Sequence, residues 1–560
     1  MKQRVTWYLA AATGLLLTDC ARKPEAPVFA RFAMAPVENL TSGDELAWAP
    51  EAVRALVTSQ LAASPKVELS RARSLAETQA AQVAAIPVYC RLEGSAAQLK
   101  LRCWKPGGEG FESAGSVAAG LPSLVAPVGR WLDPEAKPAP PLKTEALKAY
   151  GERRFEDAVA LEPDFGVAYA DGAASLMGVQ REAAARLIAA GMARGKSLDE
   201  PTQAQLMLDQ AVLTGSASGQ AAALERLSQL RPKDPARLRG LVQAQLRSRQ
   251  AKSAAANQAR LAELLPADAT VWNDLGYMRA YAGDLKGARE ALEKYAQLTP
   301  DQANPLDSLG EVHFYLGDFA AAEKYFLDSY KKDPTFLNGQ GMYKAAVSRL
   351  MAGDRAGADK HWKAFLDALS DTSPQGQAYL QALWLFASDR PAEGETAMRA
   401  VKTPLAETHV ALWSRLRGDL PGAQQALQRA FPTRQVNSVN GLLALFVSLG
   451  PAPPAEWAKR ASVQFADPRI KGVGTLALGT ALLVNQHYEA AAQLFQKGLE
   501  QTPIPDDAEV RTLLAWALTG SGKEAEAKSL LAQHGIPRLP TATPLTPILM
   551  RRNYLASQKK

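Results

Sequence analysis

Four prolines, Pro232, Pro266, Pro300 and Pro334, stand 34 residues apart, and this spacing constrains the 560-residue chain more than any other feature. Ala254, Ala288 and Ala322 keep the same step, as do Gly283 and Gly317. A fixed period means one structural unit built repeatedly, each contacting mainly its neighbours. Small residues mark where two helices of a unit touch, and proline, which lacks an N–H, ends the second helix. Length alone would admit about four separate domains on a rough prior of one per 150 residues. The period argues instead for one long array.

The best unit runs from Ala269 and carries Trp272, Leu275, Gly276, Ala288, Leu292 and Pro300. The next has Leu306, Leu309, Gly310, Ala322, Phe326 and Pro334, and a later one has Leu478, Gly479, Ala491, Phe495 and Pro503. Leu514, Ala515, Ala527 and Leu531 continue the pattern, while Gly353, Ala358, Trp362, Gly418, Ala423 and Leu427 keep the rhythm in degenerate form. Pro451-Ala452-Pro453-Pro454 reads as an interhelix turn, and Tyr150 to Pro163 as a shortened unit. These residues resemble the tetratricopeptide repeat, with Arg279 where that family usually has tyrosine. The resemblance implies a mainly α protein, a tetratricopeptide-type α-solenoid over residues 144–535, with room for about eleven units.

The family geometry places the second, fifth, ninth, twelfth and thirteenth positions of each first helix on a concave groove. Here these include Arg239, Gln243, Arg247, Asn273, Tyr277, Tyr281, Asp307, Glu311, Phe314, Tyr315, Asn338 and Arg349. Rings beside polar groups suit an extended peptide or a partner helix. The two-lysine clamp that some family members use for a carboxyl-terminal peptide is not visible, and Asp307 and Glu311 would repel such a carboxylate.

The first 19 residues read as an export signal, with Lys2 and Arg4 ahead of an apolar run from Val5 to Leu17 that is too short to span a bilayer comfortably. Leu17-Thr18-Asp19-Cys20 resembles a lipobox, which implies lipid on Cys20, although Asp19 replaces the usual small residue. Ordinary secretion and an uncleaved anchor are the other readings. All three place the body in the cell envelope or beyond it, outside the cytoplasm.

Residues 27–133 alternate strands and helices: strand Val28 to Ala35, helix Pro50 to Ala62, strand Val67 to Ser70, helix Arg73 to Ala81, a hairpin, a strand near Phe111 and a helix from Leu121 to Leu132. Centring the hairpin turn between Ala96 and Ala97 sets Leu92 opposite Leu101, Glu93 opposite Lys100 and Cys90 opposite Cys103, within disulfide reach. The segments Phe32 to Leu40, Gly43-Asp44 and Val67 to Arg71 resemble the TolB amino-terminal-like domain, implying a small α/β domain of the kind found ahead of helical repeats. Prolines 134, 138, 140 and 141 make residues 134–143 a stiff linker.

Net charge is +7, but residues 1–19 carry +1 and the tail 536–560 carries +5, leaving +1 for residues 20–535. That balance gives no support for a nucleic-acid surface. Asp164-Phe165-Gly166 copies a kinase tripeptide without a His-Arg-Asp loop, and Gly191 to Ser197 is one residue short of a phosphate loop. Gly472 to Ala477 imitates a dinucleotide fingerprint without a preceding strand. The five histidines, 313, 361, 409, 487 and 534, are scattered, so neither metal nor cofactor is expected. The reading is a non-catalytic interaction scaffold with a protein or peptide partner. The alternative is a sensory or regulatory subunit serving a separate kinase, cyclase or transporter.

Overall fold

The computed structural model describes residues 30–80, 85–108, 110–138, 141–369, 373–416, 418–430, 478–480, 482–502 and 508–533. The chain divides into two compact units, Met1–Gly172 with Lys196–Glu200, and Ala173–Gly195 with Pro201–Lys560.

In the first unit, β1 (Ala30–Met34), β2 (Glu38–Thr41), α1 (Ala49–Leu61), β3 (Val67–Arg71), α2 (Leu75–Ala80), β4 (Ile86–Ser95), β5 (Gln98–Trp104), β6 (Phe111–Gly115) and α3 (Leu121–Leu132) form a small α/β domain. Its sheet has the order β3-β1-β4-β5-β6, with β2 also on β4. The opening strand expected from sequence is two strands. Ala35 still donates to Val88, at 2.9 Å, but Pro36 has no N–H to give and the chain resumes pairing only at Glu38. One face of β4 and β5 (Val88, Leu92, Leu99, Leu101) is buried together with Val53, Leu56 and Val57 of α1 and Val125 and Val128 of α3.

β4 and β5 pair in the expected register, with Leu92 opposite Leu101, Glu93 opposite Lys100 and Cys90 opposite Cys103. The two sulfurs form a disulfide across a Cα separation of 4.1 Å.

Helices α4 (Thr144–Gly151) and α5 (Phe155–Leu161) follow the proline-rich segment and form a shortened pair. These helices belong to the first compact unit, where they are tied to the α/β domain. Arg71 at the end of β3 pairs with Asp171 and donates to the Tyr150 hydroxyl at 2.7 Å, and Tyr150 in turn donates to Asp171 at 2.5 Å. A side chain at Gly151 would meet the Trp48 carbonyl at 2.2 Å, so the approach of α4 requires glycine. Phe165 of the kinase-like tripeptide is a buried residue just before α6 (Gly166–Leu176).

The second unit is a succession of helix pairs. It holds α7 (Arg181–Arg194), α8 (Glu200–Thr214), α9 (Ala217–Leu230), α10 (Pro235–Arg247), α11 (Ala251–Leu264), α12 (Ala269–Tyr281), α13 (Leu285–Leu298), α14 (Asn304–Tyr315) and α15 (Phe319–Lys332). Then follow α16 (Gln340–Met351), α17 (Arg355–Ala368), α18 (Pro374–Ala387), α19 (Pro391–Val401), α20 (Pro404–Leu416), α21 (Leu420–Ala430), α22 (Tyr488–Gln501), α23 (Ala508–Gly520) and α24 (Glu524–Gln533). The phosphate-loop-like segment is the end of α7 and a 3-10 turn. The dinucleotide-like segment and the Pro451 to Pro454 turn lie outside the described residues.

The repeat has a local explanation. Pro266, Pro300 and Pro334 each fall two residues beyond a second helix, and Asp284, Asp318 and Asp354 cap the second helices by accepting from Gly287, Ala321 and Gly357 at 2.9, 3.2 and 2.9 Å. Asp234 and Asp268 cap the first helices α10 and α12 in the same way. Within a pair the helices approach so closely that a side chain at Gly276 would meet Leu292 at 2.5 Å and one at Gly310 the Phe326 ring at 2.6 Å. Arg279, in the tyrosine position, donates to the Gly287 carbonyl at 3.0 Å and so bridges the turn of its own unit. The array is a tetratricopeptide-type α-solenoid following a small α/β domain.

Candidate partner-binding groove

The groove residues expected from sequence do not share one environment. Arg239, Gln243 and Arg247 form an exposed stripe on α10 at four-residue spacing, over a buried opposite side of Leu238, Leu241, Val242 and Leu246. Arg239 reaches Asp268 at 2.9 Å and Arg247 reaches Gln220 at 3.0 Å, so neighbouring units hold both guanidinium groups in place.

Tyr281 and Phe314 do not face solvent. Tyr281 packs with Val242, Leu246, Ala254 and Met278, and Phe314 with Ala322, Phe326 and Ala345. The thirteenth and twelfth positions close the helix pairs here because both carry large rings that the neighbouring unit can cover. Tyr315 ends α14, and its side chain lies outside the described set. Arg349 is held by Glu323 and Asp354, both at 3.2 Å.

Asn338 is not on a helix. Residues 336–339 form a 3-10 turn in which Leu337 and Asn338 take left-handed backbone angles, and α16 starts at Gln340, 36 residues after α14 starts at Asn304. The two extra residues shift the 34-residue count, so positions read beyond Pro334 were out of register.

The remaining four expected residues, Asn273, Tyr277, Asp307 and Glu311, come together as one polar seam across three first helices. Tyr277 on α12 donates to Glu311 Oε2 at 2.8 Å and lies 3.1 Å from Ser308 Oγ, which donates to Asn273 Oδ1 at 3.2 Å. Lys344 on α16 places its ammonium 2.6 Å from Asp307 Oδ2 and 2.7 Å from Glu311 Oε1. The seam is largely shielded from water: Lys344 and Asp307 side chains are 5% exposed and Glu311 15%. Burial by itself would lower the lysine, but Glu311 and Asp307 outweigh it and hold the ammonium above its ordinary value. Burial and the Glu311 carboxylate push the Tyr277 phenol well up, so it stays a donor.

Sequence reading missed Ser308 and Lys344. Both stand one residue beyond the fifth position of their helices, and the two-residue shift hid Lys344 as well. A lone lysine on an otherwise apolar and small-residue helix, Gly341 to Ser348, was the available signal.

A second buried polar group sits further along. His409 on α20 is fully buried, with Nδ1 2.7 Å from the Leu405 carbonyl and Nε2 3.0 Å from the Tyr379 hydroxyl on α18. Carbonyl oxygen only accepts, so Nδ1 carries the proton and Nε2 accepts from tyrosine. Arg249, in the turn after α10, donates to the Leu499 and Thr502 carbonyls at 3.1 and 2.9 Å, which sets the end of α22 against that turn. Among the described residues no group of three or more histidine, cysteine or acidic side chains could hold a metal.

No family model matches the chain, and no curated protein sequence matches it. Among solved structures, a crystal structure of MamA protein aligns at 18% identity and TM-score 0.26, over 30% of this chain and 90% of that one. A structure of Naa15/Naa10 bound to HypK-THB aligns at 13% identity and TM-score 0.33, over 69% of this chain and 61% of that one. The assignment of the array rests on its own helix pairs and their period.

Proposed function

We propose that this chain is a non-catalytic scaffold, exported and lipid-anchored, that takes a protein or peptide partner along the first helices of its repeats. The carrying observation is the exposed stripe Arg239, Gln243 and Arg247 on α10, whose arginines are oriented by Asp268 and Gln220 before any partner arrives. Pre-oriented arginine lowers the ordering cost of binding and is enriched where interfaces gain most of their energy. Tyrosines 277 and 281 are engaged within the array, so recognition centres on this polar stripe.

Export and anchoring are supported by Lys2, Arg4, the apolar run to Leu17 and Cys20. The Cys90 to Cys103 disulfide fits the same placement, since such bonds persist in oxidising compartments.

The test is a photo-crosslinking side chain placed at Gln243 and, separately, at Lys252, an exposed position on α11. A defined adduct at position 243, absent at 252 and lost on combining Arg239→Glu with Arg247→Glu, is the expected result. Equal adducts at both positions, or persistence in the double variant, would reject the groove.

A further inference from the structure

The seam around Lys344 contains one more buried negative group than positive ones. Asp307 and Glu311 share a single ammonium. The other groups facing them are uncharged: the Tyr277 hydroxyl on α12, Ser308 on α14 itself, Asn273 behind it, and the Phe326 ring of α15, whose centroid lies 5.4 Å from the ammonium. Glu311 is satisfied at both oxygens, by Lys344 and by Tyr277. Asp307 is not. Its Oδ2 accepts from Lys344, but Oδ1 is buried and has no hydrogen-bond partner among the described residues.

A bare carboxylate oxygen away from water is costly, and a second negative charge on the adjoining turn adds to that cost. A proton on Oδ1 removes it. The seam then holds one ammonium, one carboxylate and one neutral acid, and a hydroxyl left unbonded costs far less than an exposed charge in the same place.

We propose that Asp307 Oδ1 is a proton-binding site and that the seam is a pH-sensitive clasp across α12, α14 and α16, tightened when the proton binds and loosened when it leaves. The Asp307 carboxyl is raised to about 6, chiefly by burial and further by Glu311, against the opposing pull of Lys344. A raised acid binds its proton more tightly in the folded chain than in the unfolded one. Its stabilisation is therefore complete below the ordinary aspartate value and is lost as pH rises through about 6. A partner seated on these first helices would meet a firmer groove in mildly acidic surroundings than in neutral ones.

The experiment is amide hydrogen exchange on the full chain at about pH 5 and about pH 7.5, corrected for intrinsic exchange and read on peptides from α12, α14 and α16. Protection should fall roughly tenfold or more on going to the higher pH, the factor expected for a shift of at least about one pKa unit. In Asp307→Asn that difference should vanish from the α14 and α16 peptides. Asp274, exposed on α12, is another carboxyl that can add to the difference in that helix, so Asp274→Asn serves as the comparison and should keep the wild-type difference in α14 and α16. Equal pH dependence in wild type and Asp307→Asn, or its loss in Asp274→Asn, overturns the proposal. Should Asp307→Asn fail to fold, carbon NMR of aspartate-labelled Asp274→Asn protein decides: one carboxyl titrating near 6 supports the site, and none doing so refutes it.

Discussion

Two buried residues of the array depend on a proton or a charge partner. Removing the ammonium with Lys344→Met would leave Asp307 and Glu311 facing each other out of water. Breaking one side of a buried ion pair costs about 3–5 kcal/mol, so unfolding of the middle repeats should move to clearly lower denaturant. A change under about 1 kcal/mol would mean the seam is wetter than its exposure indicates. His409 carries the opposite pH dependence. Burial holds it down to about 4, with the hydrogen bond to Leu405 only partly offsetting that. A depressed histidine stabilises the fold above its unfolded value near 6.5 and loses that contribution as pH falls toward 4. Thermal melts of the full chain from neutral to acid should show this loss for the segment around α18 and α20, and His409→Gln should flatten it. An unchanged acid slope would place the titrating group elsewhere.

At the scale of elements, the sequence was most legible where one local rule dominates. The hairpin register followed from the symmetry of its turn, so the opposition of Cys90 and Cys103 could be read before the fold was known. Replacing both with serine removes a cross-link between two strands that are already paired, and a loss of about 2–4 kcal/mol in the first unit is expected from disulfides in general. Peptide mapping of exported protein without reductant should recover one linked species; two alkylatable thiols would reject the bond. The helix pairs were equally legible, because the proline and glycine positions report chain ends and close approaches directly. The split of the opening strand at Pro36 and the aspartate caps were readable in principle, since each rests on one missing or one added hydrogen bond.

For the whole molecule, the anchoring proposal predicts that Cys20→Ser moves the protein from the membrane fraction to a soluble or unprocessed form. Unchanged fractionation would refute lipid attachment. The sequence by itself determined the class and rhythm of the chain: an α/β domain, then helix pairs at a 34-residue step with small residues at their contacts. These are local matters of backbone hydrogen bonding and side-chain volume. Only the tertiary structure decided which inward-facing positions stay open. Counting positions treats every unit as equivalent, but exposure depends on what the next unit carries and on where its helix begins. A two-residue lengthening at 336–339 shifted α16, Lys344 reached back to Asp307 and Glu311, and four expected contact residues became part of one polar seam. Arg249 donating to the carbonyls of Leu499 and Thr502 is the same kind of fact, because no local rule links residues some 250 positions apart in the chain.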